Sequence, residues 1–253
     1  MKNMLTCNFS LKHYFDVLDS LNNDYTICTV SEYTKIKNKK FIILRHDVDF
    51  SLDYALKMAK KETQKGLRST YFVLLHSFFY NPFDEKNSSN IKKIAKLGHE
   101  VGLHYDSSFF PKSPEKEIKL IKKEINALEE ITDKKVISVV QHIPSETRKI
   151  YANLKKANLI SAQSPEMLRS VKYISDSGHY WREGCMCQHI NRHDRLQILT
   201  HPIWWVNGHH SRKEILKKLE SDEKIKLHLQ IDSYKKMVHR LLVELDSPKK
   251  EFD

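Results

Sequence analysis

The sequence predicts an α/β fold built on a parallel sheet, and three observations lead there. Strand-like and helix-like segments alternate from residue 41 to about 160. The run Phe41–Leu44 (FIIL) is apolar without alternation, as a strand buried on both faces is. The intervening segments carry helical spacing and are long enough for the right-handed crossovers that parallel strands require. With seven or so strands, such a chain closes into a barrel or spreads into an open doubly wound sheet. At 253 residues, 40% hydrophobic and 30% charged, it can bury the core of one large domain. Gly and Pro are sparse (6 and 7), with no low-complexity linker and no repeat period. The expectation is a single domain over 1–253, with a helical and strand lead-in at 1–40, a core at 41–205 and C-terminal helices at 206–253.

Residues 9–22 place Leu11, Phe15, Leu18 and Leu21 on one helical face behind Ser10, a suitable N-cap. A short connection from Tyr25 to Val30 leads to the first core strand at 41–46. Ser51 caps a helix bearing Leu52, Ala55, Leu56 and Ala59, closed near Gly66. The run Ser69–Leu75 is the second strand. A helix opened by Ser89 and closed by Gly98 follows, then a third strand, Glu100–His104. Ser113 and Pro114 start a long amphipathic helix carrying Ile118, Ile121, Ile125 and Leu128. Val136–Gln141 is a fourth strand, and a helix runs from about Ser145 through Leu154 to Ala157. Strands are expected near Ile160–Ala162, Val171–Ile174 and Leu196–Thr200, and helix from 211 to about 246.

The net charge of +11 suits anionic partners such as nucleic acid, a membrane surface or a phosphorylated small molecule. Much of it is Lys on exposed helix faces (Lys119, Lys122, Lys123; Lys213, Lys217, Lys218), which reads as solvated surface. No aromatic–basic recognition motif accompanies it, so no specific nucleic-acid partner is expected. Cys7, Cys28, Cys185 and Cys187 are too few for a disulfide scaffold and lack CxxC spacing. The CxC pair is a weak metal signal without matching partners, and the four read as reduced thiols in a reducing compartment. The opening MKNMLTCNFSLKHYF has no apolar signal region, and no run approaches membrane-spanning length. A cytoplasmic location is expected.

Residues capable of chemistry gather at strand ends. Asp47 and Asp49 follow the first core strand, and being two apart they share a face. Two carboxylates so placed repel unless a cation lies between them or one keeps its proton; the bland alternative is a turn salt-bridged by Arg45. His104 ends the third strand, His142 the fourth and His201 the last, and Asp176 follows the strand before it. In α/β barrels the carboxyl ends of the strands meet on one face, where active sites lie. One His there is most often a capping residue; three with a carboxylate pair argue for a site. Imidazole and carboxylate donors without a Cys set suit a divalent transition metal, zinc first, and with it hydrolysis of an amide or ester.

At this point the residues resemble a family. RHDVD at 45–49, GHEVGLH at 98–104, YISDSGHYWREG at 173–184 and LTHP at 199–202 look like the polysaccharide deacetylase superfamily, carbohydrate esterase family four. They look most like its HDVD-type branch, associated with surface-polysaccharide biosynthesis. The resemblance spans roughly 40–205. It implies a distorted (β/α) barrel of about seven parallel strands with a helical C-terminal segment, a bound divalent metal, most simply Zn2+, and removal of N- or O-acetyl groups from sugars. It makes Asp47 the general base, Asp49 a metal ligand, His104 the first ligand His and His201 the general acid. Val48 separates aspartates that the family has adjacent, so the roles of Asp47 and Asp49 are open to exchange. The second ligand His lies four residues beyond the first in the family, and here that position is Ser108. His142 is the candidate replacement, with His46 and His99 in reserve. Arg182 is expected to orient the base or bind an oxyanion, and Asp176 to hold Arg182 or a substrate hydroxyl. The expected substrate is an acetylated sugar, nucleotide- or lipid-linked; the alternative is an inactive carbohydrate-binding relative. Oligomeric state is not legible.

Overall fold

Eight strands, all parallel, carry the structure, a computed structural model that describes residues 7–21, 24–37, 39–110, 113–143 and 150–246. The chain divides into two compact units, residues 1–209 and 210–253. In the first, the elements in order are α1 (Leu11–Asp19), β1 (Thr26–Cys28), β2 (Phe41–Val48), α2 (Leu52–Gln64), β3 (Thr70–Leu74), α3 (Glu85–Lys96), β4 (Glu100–Tyr105) and α4 (Pro114–Thr132). Then come β5 (Ser138–Gln141), α5 (Ile150–Lys156), β6 (Ile160–Ser161), α6 (Pro165–Ser170), β7 (Lys172–Ser175), β8 (Arg195–Thr200) and α7 (Pro202–Val206).

The sheet runs β6-β5-β4-β3-β2-β8-β7. It curls into a distorted barrel, open between β6 and β7, which no ladder joins among the described residues. β2 is its axis. β8 flanks it from Phe41 to His46, while β1 covers the first half of its other edge and β3 the second. All eight β2 residues are buried, and the two periods of the strand divide them. Phe41 and Ile43 turn inward with Cys28, Phe72, Val140 and Ala162. Val48 turns outward, with Tyr71 and Val73 of β3, toward α2, α3 and α4. Each fully buried Ile, Leu or Phe contributes about 1.5–3 kcal/mol relative to exposure, so the parity of β2 is strongly fixed.

Capping agrees with the sequence where the cap lies next to its helix. Ser10 accepts from His13 N and Ser51 from Tyr54 N, and Pro114 stands in the first turn of α4. The expected Ser89 start of α3 is corrected to Glu85. Asp84 accepts from Asn87 N one turn earlier and leaves Ser89 mid-helix. β1 is the strand of the lead-in, while α6 and α7 were not expected; α6 announces itself through Ser164, which caps it, and Pro165. The start of α5 expected near Ser145 lies outside the described residues.

Gly102 is the tightest point of the barrel interior. A Cβ there would clash with the Phe72 ring and stand 2.7 Å from Ser138 Oγ. In the second unit, α8 (Arg212–Asp246) opens with a capping box, Ser211 N donating to Glu214 and Glu214 N to Ser211 Oγ. No helix among the described residues is long and apolar enough to cross a membrane.

Candidate functional site

Strand parity decides which polar side chains enter the barrel mouth. On β2 and just past it, Arg45, Asp47 and Asp49 share the inward face and line a cleft of about 590 Å³. His46, between them, points the other way and is fully buried, its Nε2 2.9 Å from Glu62 of α2 and its Nδ1 2.7 Å from Thr200 Oγ1. His99 is committed too: it meets Ala59 O through Nε2 and receives Ser69 N at Nδ1. Neither reserve His faces the cleft.

His104, His142 and His201 all line the cleft. Asp49, His104 and His142 each bring one donor atom to within 4.8 Å of one another. Asp49 Oδ1 lies 3.2 Å from His104 Nε2 but accepts no aligned hydrogen bond, and it is buried. The carboxylate and the imidazole thus lie close together without a well-aligned hydrogen bond between them. His104 Nδ1 donates to Val140 O at 3.2 Å, and His142 Nδ1 lies 3.2 Å from Asp106 Oδ2. Each contact leaves Nε2 as the available nitrogen, the arrangement that orients metal-binding imidazoles. Asp106 also accepts from Ser108 N, and Ser108 itself is exposed in the turn after β4. So where Ser108 offers no imidazole, Asp106 holds one delivered from β5. The chain around Asp49 is fixed by Tyr80, which donates to Val48 O at 2.6 Å, and by Ser77, which donates to Asp49 O at 2.7 Å.

Asp47 stands apart from this trio. Its Oδ2 is 3.4 Å from Arg45 Nη2 and 3.8 Å from His104 Nε2, and its buried Oδ1 has no hydrogen-bond partner. Arg45 is itself fully buried, packed over the rings of Phe72 and Tyr173. The cation beside Asp47 is therefore Arg45, its expected salt-bridge partner. Arg182 lines the cleft from an exposed position and makes no ion pair among the described residues.

Across the cleft, His201 Nε2 is 3.6 Å from Asp49 Oδ2, while its Nδ1 donates to Asp176 at 2.6 Å. Asp176 also accepts from His201 N and from Trp205 Nε1. Of the two partners expected for Asp176, Arg182 is not one that it meets. Fully buried, Asp176 makes no ion pair with Arg182 among the described residues, and it orients His201. Burial pulls the His201 pKa down, but Asp176 and then Asp49 and Asp47 outweigh it and push it up to about 9. Burial pushes Asp49 up, yet His104, His201 and His142 together bring its carboxyl well below the usual range. His104 is penalised by burial and carried above its ordinary value by Asp47 and Asp49.

The donor set fits a divalent cation. It combines a buried carboxylate oxygen without a hydrogen bond, two imidazoles with oriented Nε2 atoms, and open cleft on the remaining side. Among the aromatics, Trp204 lines the cleft, Trp205 is core, and Trp181 packs near Phe9 and Trp205. Asp106 and the partners of Asp176 are the contributors that sequence reasoning missed. A period-two count from His104 reaches Asp106; nothing in the sequence links Asp176 to Trp205.

No protein-family model matches the chain. Among curated proteins, mitochondrial transcription factor A of Bos taurus is 27% identical over 161 residues, 62% of this chain and 61% of that protein. The chain thus spans about three fifths of that relative's length. Among solved structures, a family 4 carbohydrate esterase from Bacillus anthracis aligns over 89% of this chain and 94% of its own at 16% identity, TM-score 0.48. The chitin deacetylase of Colletotrichum lindemuthianum covers 71% and 81% at 16% identity, TM-score 0.47. A CE4 family pseudoenzyme from Bacillus anthracis covers 74% and 63% at 16% identity, TM-score 0.46. Likenesses below a TM-score of 0.5 say nothing of what this chain acts on.

Proposed function

We propose that this chain is a metal-dependent hydrolase that removes an acetyl group from an N- or O-acetylated sugar. The observation that carries the reading is the meeting of Asp49, His104 and His142 on one side of the cleft with the His201–Asp176 pair on the other. Asp49, His104 and His142 would hold the ion, Zn2+ by the chemistry of its donors. When bound, such an ion supplies Lewis acidity that activates water and polarises an acyl carbonyl.

The remaining steps belong to the protein's own groups. Asp47, with the Arg45 guanidinium 3.4 Å from its Oδ2 and with Oδ1 unengaged, takes the proton of the attacking water. His201, protonated at neutral pH and aligned through Asp176, gives its Nε2 proton to the departing sugar nitrogen or oxygen. The ligand role falls to Asp49 in this reading because its carboxylate lies within reach of both imidazoles, and the base role to Asp47. Arg182 at the exposed rim suits a negatively charged substituent, so a nucleotide- or lipid-linked acetyl sugar is the preferred substrate.

Acetate release from acetylated nucleotide sugars and from neutral acetylated oligosaccharides tests this directly. Release that stops on chelation and returns with Zn2+ is expected; tight sugar binding without acetate release would instead favour a non-catalytic carbohydrate-binding protein. The departure at Ser108 is the observation behind that second reading.

A further inference from the structure

Away from the cleft, a second group of donors assembles from the two ends of the first unit. Cys7, His13, Cys185 and Cys187 each bring one ligand atom to within 4.8 Å of the others. Cys7 Sγ lies 3.2 Å from Cys187 Sγ, and His13 Nε2 lies 3.2 Å from Cys185 Sγ. These sulfurs are not bonded: a disulfide closes to about 2.05 Å, and none of the described cysteines is in one. The placement is built by the fold. His13 is on the buried face of α1 beside Tyr14, and Cys185 is buried where Gly184, at φ +90°, turns the chain into the short 3-10 turn Met186–Gln188.

We infer that Cys7, His13, Cys185 and Cys187 form a closed tetrahedral Zn2+ site that is structural rather than catalytic. Three thiolates and one imidazole are an established donor set for such sites, and soft sulfur ligands select Zn2+ over Mg2+, Ca2+ or Mn2+. Around a zinc with Zn–S about 2.3 Å and Zn–N about 2.0 Å, tetrahedral neighbours lie roughly 3.5–3.8 Å apart. The observed separations, from 3.2 Å up to at most 4.8 Å, bracket that spacing and need only small side-chain adjustments. Binding releases the three thiol protons to solvent and involves no change of oxidation state. The contrast with the cleft is chemical. There a carboxylate and two imidazoles leave open room, whereas here four protein donors complete the shell.

The ion would join the segment before α1 to the connection between β7 and β8. That connection carries Ser177, Gly178 and Arg182 of the cleft wall, and Phe9, two residues after Cys7, already packs on His179 at 4.1 Å. None of the four ligands lines the cleft, so the site stands whether or not the chain is a hydrolase.

The test uses the whole chain purified under reductant, with Zn2+ exchanged for Co2+. The expected result is an intense thiolate-to-cobalt charge-transfer band in the near ultraviolet. Asp49→Asn should retain the band, and Cys185→Ser and Cys187→Ser should each reduce it by about a third or more, one of three thiolates being lost. Chelation should also speed amide hydrogen exchange across residues 176–190. The inference is overturned if the reduced wild-type protein shows no such band. It is also overturned if the band survives both Cys→Ser changes, or if reductant-purified protein already holds a Cys7–Cys187 disulfide by mass spectrometry. Should either variant fail to fold, the wild-type spectrum alone decides.

Discussion

His201 presents one nitrogen to the cleft and the other to Asp176, so its proton is governed by a fully buried carboxylate that does not line the cleft. The pKa is raised in the folded protein, so His201 holds its proton below about 9 and loses it as pH rises through that value. An acid role therefore gives activity that declines on the alkaline side. A cation on Asp49 cancels part of the raising field and moves that limb below about 9. Asp176→Asn removes the largest raising partner and should shift the limb down by about one unit or more, read from kcat against pH. An unmoved limb would remove His201 from the acid role. Asp47→Asn should lower kcat by roughly 10²–10⁴-fold, the usual worth of a general base, with bound metal unchanged. Asp49→Asn should lower both. Equal metal loss in the two variants would mean that the carboxylates share the ion.

At the scale of elements, the period of β2 explains what could be read in advance and what could not. Counting by two from Asp47 places Asp49 on its face and puts His46 on the opposite one, so the carboxylate pair was legible in the sequence. The pairing of His142 with Asp106 was not, because it joins the end of β5 to the turn after β4 and depends on strand order. The caps of α1 and α2 were legible from Ser10 and Ser51; the Asp84 cap of α3 was hidden by a competing Ser89.

The outer face of β2 has its own polar knot. Glu62 of α2 accepts from Tyr14, Tyr71, Ser69 and His46. Burial pushes its carboxyl up, but His46, His99 and Tyr14 carry it down to about 2, from an unfolded value near 4.5. A depressed carboxylate stabilises above its unfolded pKa and loses that contribution as pH falls toward the folded one. Thermal stability should therefore fall between about pH 4.5 and 2 in the wild type and more weakly in Glu62→Gln, followed by melting temperature. Identical acid profiles would show that Glu62 contributes nothing to that fall. Gly102→Ala, which forces a methyl group against Phe72 and Ser138, should cost about 1–3 kcal/mol by overpacking, measured by urea unfolding. A neutral result would mean that the Phe72 ring rotates freely out of the way.

For the molecule as a whole, parallel strands with one polarity bring groups from β2, β4, β5 and β8 to a common mouth. A second concavity of about 710 Å³, lined by Lys39, Arg169, Lys172, Arg192 and Arg195 together with His193 and Asp194, lies at the strands' opposite ends, and among the described residues it holds no converging group of three or more metal donors. With a net charge of +11, the proposed association with an anionic acetyl sugar would be aided by long-range attraction that salt screens. KM for a phosphate-bearing substrate should rise several-fold from low salt to about 0.5 M, where the Debye length falls to a few ångströms, and KM for a neutral oligosaccharide should stay level. The reverse pattern would place the preferred substrate among neutral glycans.

The most direct measurement is an anomalous difference map at the zinc absorption edge from crystals of the zinc-loaded chain. The expected map has a peak about 2.0–2.2 Å from an Asp49 carboxylate oxygen and from the Nε2 atoms of His104 and His142. Cleft density without anomalous signal, from protein that releases acetate, would contradict the account.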